Sequence, residues 1–178
     1  MRSRYGSGKT TFLQRLVRTR KPERVMFITY RQTLARDIMR NFGKLGFKNY
    51  LDSHDDPSVW NAPRLIIQLH SLMNIFTRSD DVLNGEGFNL RYDMIILDES
   101  ESLIAHFDEQ TMSGKEIGIC NFFDELLKPS GKMLLMDGDI SDRSLSFASA
   151  YGEIMYINNK NMGAPRTVNL MLDEGEWN

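Results

Sequence analysis

Gly6-Ser7-Gly8-Lys9-Thr10-Thr11, running straight into the helix-forming stretch Phe12-Leu13-Gln14-Arg15-Leu16-Val17, decides how the rest of this chain is read. Glycines let a backbone come close to phosphate oxygens. Successive N–H groups form an anion-binding nest, and the helix behind them presents its positive end. In such a loop Lys9 reaches the β- and γ-phosphates as a point charge, and the Thr10 hydroxyl is a ligand for Mg²⁺. Gly6, Ser7, Gly8, Lys9, Thr10 and Thr11 are therefore the candidate nucleotide-binding residues. The alternative is a Gly/Ser turn that happens to precede a helix. The pattern G-x-x-x-x-G-K-S/T is not strictly met, because Ser3 stands where its first glycine falls.

A second signal lies downstream. Met94-Ile95-Ile96-Leu97 ends in Asp98-Glu99. Four apolar residues closing on a carboxylate describe a buried parallel strand with an acid at its C-terminal mouth. There Asp98 would hold Mg²⁺ and Glu99 would orient or deprotonate the attacking water, as phosphoryl transfer requires. The other reading is a strand followed by an acidic helix start, with Asp98-Glu99-Ser100-Glu101 serving only the helix dipole.

Composition sets limits on both signals. A chain of 178 residues makes one domain with a real core. Its net charge of −2 is no general mark of nucleic-acid binding. The charge is unevenly spread, however: Arg2, Arg4, Lys9, Arg15, Arg18, Arg20, Lys21 and Arg24 crowd the first segment beside the lone acid Glu23. That run fits a solvated helix face or a nucleic-acid contact. The single cysteine, Cys120, excludes an internal disulfide and a cysteine-rich zinc site. His54, His70 and His106 have no metal-like spacing and read as surface or packing residues. No apolar run is long enough for a bilayer and there is no signal-peptide pattern, so a soluble, intracellular protein without a membrane partner is expected.

The chain alternates strands and helices. Strands are expected at 25–30, 64–69, 94–97, 132–136 and 154–157, with short ones at 47–51 and 168–172. Helices are expected after the phosphate loop, from Arg31 to a stop near Gly43 or Gly46, briefly after His70, at 101–107, at 121–127 and at 141–151. Residues 52–63 and 79–87 read as polar loops. This alternation predicts an α/β fold, a mostly parallel sheet with helices on both faces. In such a sheet ligands sit beyond the C-terminal strand ends. The phosphate loop, Thr29-Tyr30-Arg31, 68–71, Asp98-Glu99 and Asp137-Gly138-Asp139 all fall there.

Taken in order, Gly6-Ser7-Gly8-Lys9-Thr10, Ile28-Thr29-Tyr30-Arg31-Gln32-Thr33-Leu34-Ala35, Gln68-Leu69-His70-Ser71-Leu72, Leu97-Asp98-Glu99-Ser100-Glu101 and Leu135-Met136-Asp137-Gly138-Asp139-Ile140-Ser141-Asp142-Arg143 resemble the first RecA-like domain of superfamily 2 helicases. The phosphate loop fits that group's A-x-x-G-x-G-K-T variant, with a small residue at the first place. The final block, Asp-x-Asp-Ile-Ser-Asp-Arg, is similar to the herpesvirus-type replication origin-binding proteins and their giant-virus and mobile-element relatives. The resemblance runs from Ser3 to about Phe147. It implies a three-layer RecA-like P-loop NTPase domain that binds ATP and Mg²⁺ and acts on single-stranded or origin DNA at a nuclear or viral replication site. It makes Lys9 and Glu99 catalytic, Thr10 and Asp98 metal ligands, Arg31 and Ser71 contacts to the strand, and Asp137 and Asp139 part of the motif coupling the ATP site to that strand. Other roles remain open at this point: a surface ion pair for Arg31, a helix cap for Ser71, and a capped turn for Asp137 and Asp139.

The chain also departs from that pattern. Met1-Arg2-Ser3-Arg4 is too short and basic for the strand that normally carries a phosphate loop, so the first strand is expected to be lacking. Residues 1–172 read as the helicase lobe, and 173–178 as the start of a linker to an absent second RecA-like domain. Such a chain looks like a fragment, a truncation or a decayed copy, weakly active or inactive alone. Two other readings stand beside it: a P-loop nucleotide kinase, since Gly-Ser-Gly-Lys-Thr-Thr opens many, and a non-catalytic nucleotide-binding remnant.

Overall fold

The computed structural model describes residues 1–3, 6–78, 91–107 and 114–160. The expected strand at 168–172, the linker at 173–178 and the loop at 79–87 lie outside them. Val25-Met26-Phe27-Ile28-Thr29 is buried along its whole length, as a strand covered on both faces must be, and it forms the centre of the sheet as β2 (Val25–Thr29). Around it lie β4 (Arg64–Gln68) and β5 (Met94–Asp98), then β3 (Lys48–Asn49) and β6 (Met133–Met136) at the two sides, in the order β3-β4-β2-β5-β6. Every pairing is parallel, and Phe27 sits between Ile66 and Ile96.

Helices make the crossovers. They are α1 (Lys9–Arg20), α2 (Gln32–Phe42), α3 (Leu72–Arg78), α4 (Ser100–Ala105), α5 (Gly114–Leu127) and α6 (Asp142–Ser149). The chain steps one way across the sheet through α1 and α2, then back through α3 to α6. Right-handed crossovers therefore put the first pair on one face and the rest on the other. Contacts agree: Gln14 on α1 donates to the Asn41 carbonyl on α2 at 2.8 Å, while α3 packs on α5 and α4 on α6. The fold is a three-layer α/β sandwich. Phe27 meets Phe42 and Phe47 edge-on at 4.9 and 5.4 Å, which joins β2 to α2 within the core.

Ahead of the phosphate loop lies a two-residue strand, β1 (Arg2–Ser3), paired in parallel with β7 (Asn158–Asn159). Arg2 also bridges to Asp137 at the end of β6, the Asp137 N–H donates to the Met1 carbonyl at 3.3 Å, and the Met1 ammonium donates to the Leu135 carbonyl. Residues 1–3 thus lie between the end of β6 and β7, and lead into the phosphate loop from there.

Several expected boundaries move. Residues 154–157 are exposed and irregular, and among the described residues the strand is confined to 158–159, because four apolar residues left exposed gain no burial from pairing there. The polar loop at 52–63 contains a 3₁₀ helix, Pro57–Asn61, begun by an Asp56 cap on the Ser58 N–H, and it buries Val59 and Trp60. The helix expected at 121–127 starts seven residues earlier, at Gly114.

The lower rim carries one sharp test. Gly131 donates its N–H to the Tyr92 carbonyl, and a Cβ on it would lie 2.8 Å from the Asp93 carbonyl oxygen. Backbone on both sides leaves no side chain to give way. Gly131→Ala is expected to lower stability by about 1–3 kcal/mol, read as a shift of the denaturant midpoint without a change in slope.

Candidate functional site

Gly6 and Gly8 both take left-handed backbone, at φ 77° and 90°, and Gly8 caps α1. These angles suit glycine, so each would be strained by a Cβ. Gly8 has no side chain to cap this helix end, and no acid lies in its first turn. A helix start of this kind offers N–H groups and a positive dipole end, which is the arrangement an anion needs. Thr10 and Thr11 are exposed and Lys9 is half-buried. The Ser7 carbonyl accepts a hydrogen bond from the Asn159 side chain at 3.2 Å, tying the loop to β7.

The Lys9 charge acts on Asp98. Burial pushes the Asp98 carboxyl above the usual carboxylate range; Lys9 pulls the other way, as does the Glu99 N–H, which donates to it at 3.2 Å, while the charges of Glu99 and Asp137 add to the rise. Burial thus works against the charged form of this carboxyl, and a further cation beside it would work in its favour. The Thr10 hydroxyl and the Asp98 carboxylate are oxygen donors of the kind Mg²⁺ takes, whereas the Lys9 ammonium has no lone pair to offer a metal.

The sign of that shift gives a test. With the folded-state pKa raised, stability falls as pH climbs from the unfolded value through the folded one, and the cost of the charge stays in full above it. Asp98→Asn is therefore expected to raise the thermal midpoint at pH 7, with the gain shrinking as both proteins are taken below the ordinary Asp range.

Glu99 follows on left-handed backbone, φ 56°, a conformation costly for a side chain other than glycine. It caps α4, and its carboxylate lies 4.0 Å from the Arg31 Nε, both groups well exposed. Arg31 thus meets a residue of the candidate ATP site across the mouth between β2 and β5. An exposed pair at that distance contributes little stability.

Asp137 and Asp139 divide their work. One Asp137 oxygen accepts from the Glu101 N–H at 3.0 Å and the other from the Asp139 N–H at 3.2 Å, while Asp139 pairs with Arg2 at 2.6 Å. Glu101 completes a clasp that sequence reading missed. Its carboxylate accepts from the Ser141 N–H at 2.7 Å and the Ser141 hydroxyl at 2.8 Å. Partial burial raises its pKa, but the Ser141 N–H, the neighbouring Ser144 and Ser141 hydroxyls and the Arg143 charge outweigh this and hold it low. That stabilisation is present above the unfolded-state pKa and fades as pH falls through the folded value. The only signal in the sequence was an acid in the first turn of α4, which the dipole alone explained.

Ser71 stands apart from the nucleotide loop. It ends the 3₁₀ turn Leu69–Ser71 ahead of α3, and its hydroxyl lies against the Tyr50 phenol. Tyr50 donates to Gln68 Oε1 at 2.9 Å, and Gln68 Nε2 donates to the Tyr30 carbonyl at 2.8 Å. Ser71 and Arg31 are thereby linked through the strand ends of β4 and β2 without touching. Two of the histidines take a packing role: His70 and His106 lie ring to ring at 4.6 Å. Among the described residues no cluster of three His, Cys, Asp or Glu could hold a metal, and no helix is long and apolar enough to cross a membrane.

The family model for origin of replication binding proteins matches residues 1–153. A protein of Acanthamoeba polyphaga mimivirus, provisionally named a helicase, is 27% identical over 99% of this chain and 17% of its own length. A second mimivirus protein, provisionally named a replication origin-binding protein, is 30% identical over 89% of this chain and 20% of its own. The replication origin-binding protein of human herpesvirus 6A is 29% identical over 85% of this chain and 18% of its own. The chain therefore spans a fifth or less of the length of the curated relatives it matches.

Proposed function

The chain belongs to the origin of replication binding protein family, and we propose that it is the ATP-binding and hydrolysing lobe of a DNA helicase of that type, coupling hydrolysis to movement on DNA at a site of viral replication. The observation that carries this reading is the left-handed Gly6 and Gly8 loop at the start of α1, with the Lys9 charge acting on the partly buried carboxyl of Asp98.

The N–H groups at the start of α1 and the Lys9 ammonium hold the triphosphate of ATP. Bound Mg²⁺, held by Thr10 and Asp98, supplies charge neutralisation at the phosphates. Glu99, turned outward by its left-handed backbone, orients the attacking water and accepts its proton. Arg31 connects Glu99 to the strand-facing end of β2, and the Glu101–Ser141 clasp connects the helix after Asp98 to the loop of Asp137 and Asp139. Arg31 and Ser71 contact the backbone of single-stranded or origin DNA. A second RecA-like lobe closes the cleft and brings the arginine whose loss typically costs about 10³–10⁵ in rate.

The test is phosphate release with and without a single-stranded oligonucleotide, on wild type and Glu99→Gln, alongside binding of a fluorescent ATP analogue. Glu99→Gln is expected to keep nucleotide affinity and lose about 10²–10⁴-fold of the strand-stimulated rate. Phosphate delivered to a nucleoside rather than to water would replace this reading with a kinase. Nucleotide binding with no hydrolysis, even with a second lobe added, would leave a non-catalytic module.

A further inference from the structure

Three rings from three strand ends meet at the mouth of the sheet. Tyr30 follows β2, His70 lies in the turn after β4, and His106 closes α4 after β5; β4, β2 and β5 are neighbours in the sheet. Ring centroids are 4.6 Å apart for His70 and His106, 5.8 Å for Tyr30 and His70, and 5.7 Å for Tyr30 and His106. His70 is exposed, and the other two are half-buried. Behind His106 a file of rings runs inward, to Phe107 at 6.0 Å, from there to Phe123 at 5.2 Å and on to Phe147 at 6.1 Å. The Gln68 side chain pins the Tyr30 carbonyl from the other flank. The group is thus held from behind while its outer member meets solvent. Two imidazoles suggest a metal, but the third ligand is lacking among the described residues. Arg31, with its side chain 66% exposed, is the next residue after Tyr30.

We propose that Tyr30, His70 and His106 form a stacking subsite for a base of single-stranded nucleic acid, with Arg31 beside it for the adjoining phosphate. The proposal rests on the strand-tracking role given under Proposed function and names a contact that role had not included. Every base has a π-face, so ring stacking grips a strand without reading its sequence, which suits a protein that moves along it. A guanidinium next to the platform supplies the sequence-independent phosphate contact. The site also lies beyond the C-terminal ends of parallel strands, where ligands of this sheet type bind.

The experiment compares anisotropy of two labelled oligonucleotides of equal length and phosphate count, one of thymidines and one abasic, titrated with the 178-residue chain. Wild type is expected to hold the thymidine strand at least about fivefold more tightly. His70→Ala and His106→Ala are expected to erase that preference and leave abasic binding in place. His106→Phe, which keeps a ring and the contact to Phe107, is expected to retain it and so guards against a folding artefact. Arg31→Ala is expected to weaken both strands alike. Equal affinity of wild type for the two strands, or a preference that survives both alanine variants, overturns the stacking subsite while strand binding stands. No binding to either strand overturns strand tracking and the subsite with it.

Discussion

Lys9→Ala is expected to weaken Mg²⁺-dependent binding of a fluorescent ATP analogue by about 10–100-fold, the span that loss of a charged hydrogen-bonding group to an anion implies. Two effects act in the same direction. The ammonium at the phosphates is gone, and so is the positive charge that offsets the burial of Asp98. Without that charge the Asp98 carboxyl should move further in the direction burial already pushes it. The variant should remain folded, because Lys9 lies at a helix start and outside the packed core. Circular dichroism and the thermal midpoint check that point. A folded Lys9→Ala protein that still binds the nucleotide as wild type does would remove the phosphate loop from the account.

Phe27→Ala is expected to cost about 3–5 kcal/mol, enough to leave much of the protein unfolded at 37 °C if its total stability is ordinary. Phe27 is fully buried on the central strand and touches Phe42 on α2 and Phe47 before β3, which also touch each other at 5.7 Å. Truncation opens a hole at a point where three elements converge and parallel strands fix the backbone on both sides, so the site cannot collapse to fill it. Urea unfolding read by far-ultraviolet circular dichroism measures the loss. A cost below about 1 kcal/mol would mean that the three-ring contact is not the anchor described.

The sequence displayed its sheet plainly because each central strand is a short apolar run that stops at a polar residue, and parallel burial on both faces demands that pattern. Thr29, Gln68, Asp98 and Asp137 were found at strand ends for that reason. Periodicity could not show the Pro57–Asn61 turn, where Val59 and Trp60 are buried from a segment otherwise rich in polar residues. It also overvalued residues 154–157, which are exposed despite their apolar character. The contacts that organise the candidate site are further apart than any local pattern reaches. Glu101 meets Ser141, and Tyr30 meets His70 and His106, only because the topology lays β4, β2, β5 and β6 side by side, while Ser7 meets Asn159 through the separate pairing of β1 with β7. The residue types were visible, and their neighbours were not.

Asp98 and Glu99 are consecutive, and the fold disfavours each for a different reason: the first for its buried charge, the second for a backbone angle that glycine would adopt at no cost. Stability and chemistry therefore ask for different amino acids at this one dipeptide. A laboratory selection for heat resistance that ignored nucleotide altogether is expected to erode these two positions early, while leaving Phe27 and its neighbours alone. Sequencing the survivors would reveal where the protein trades durability for work.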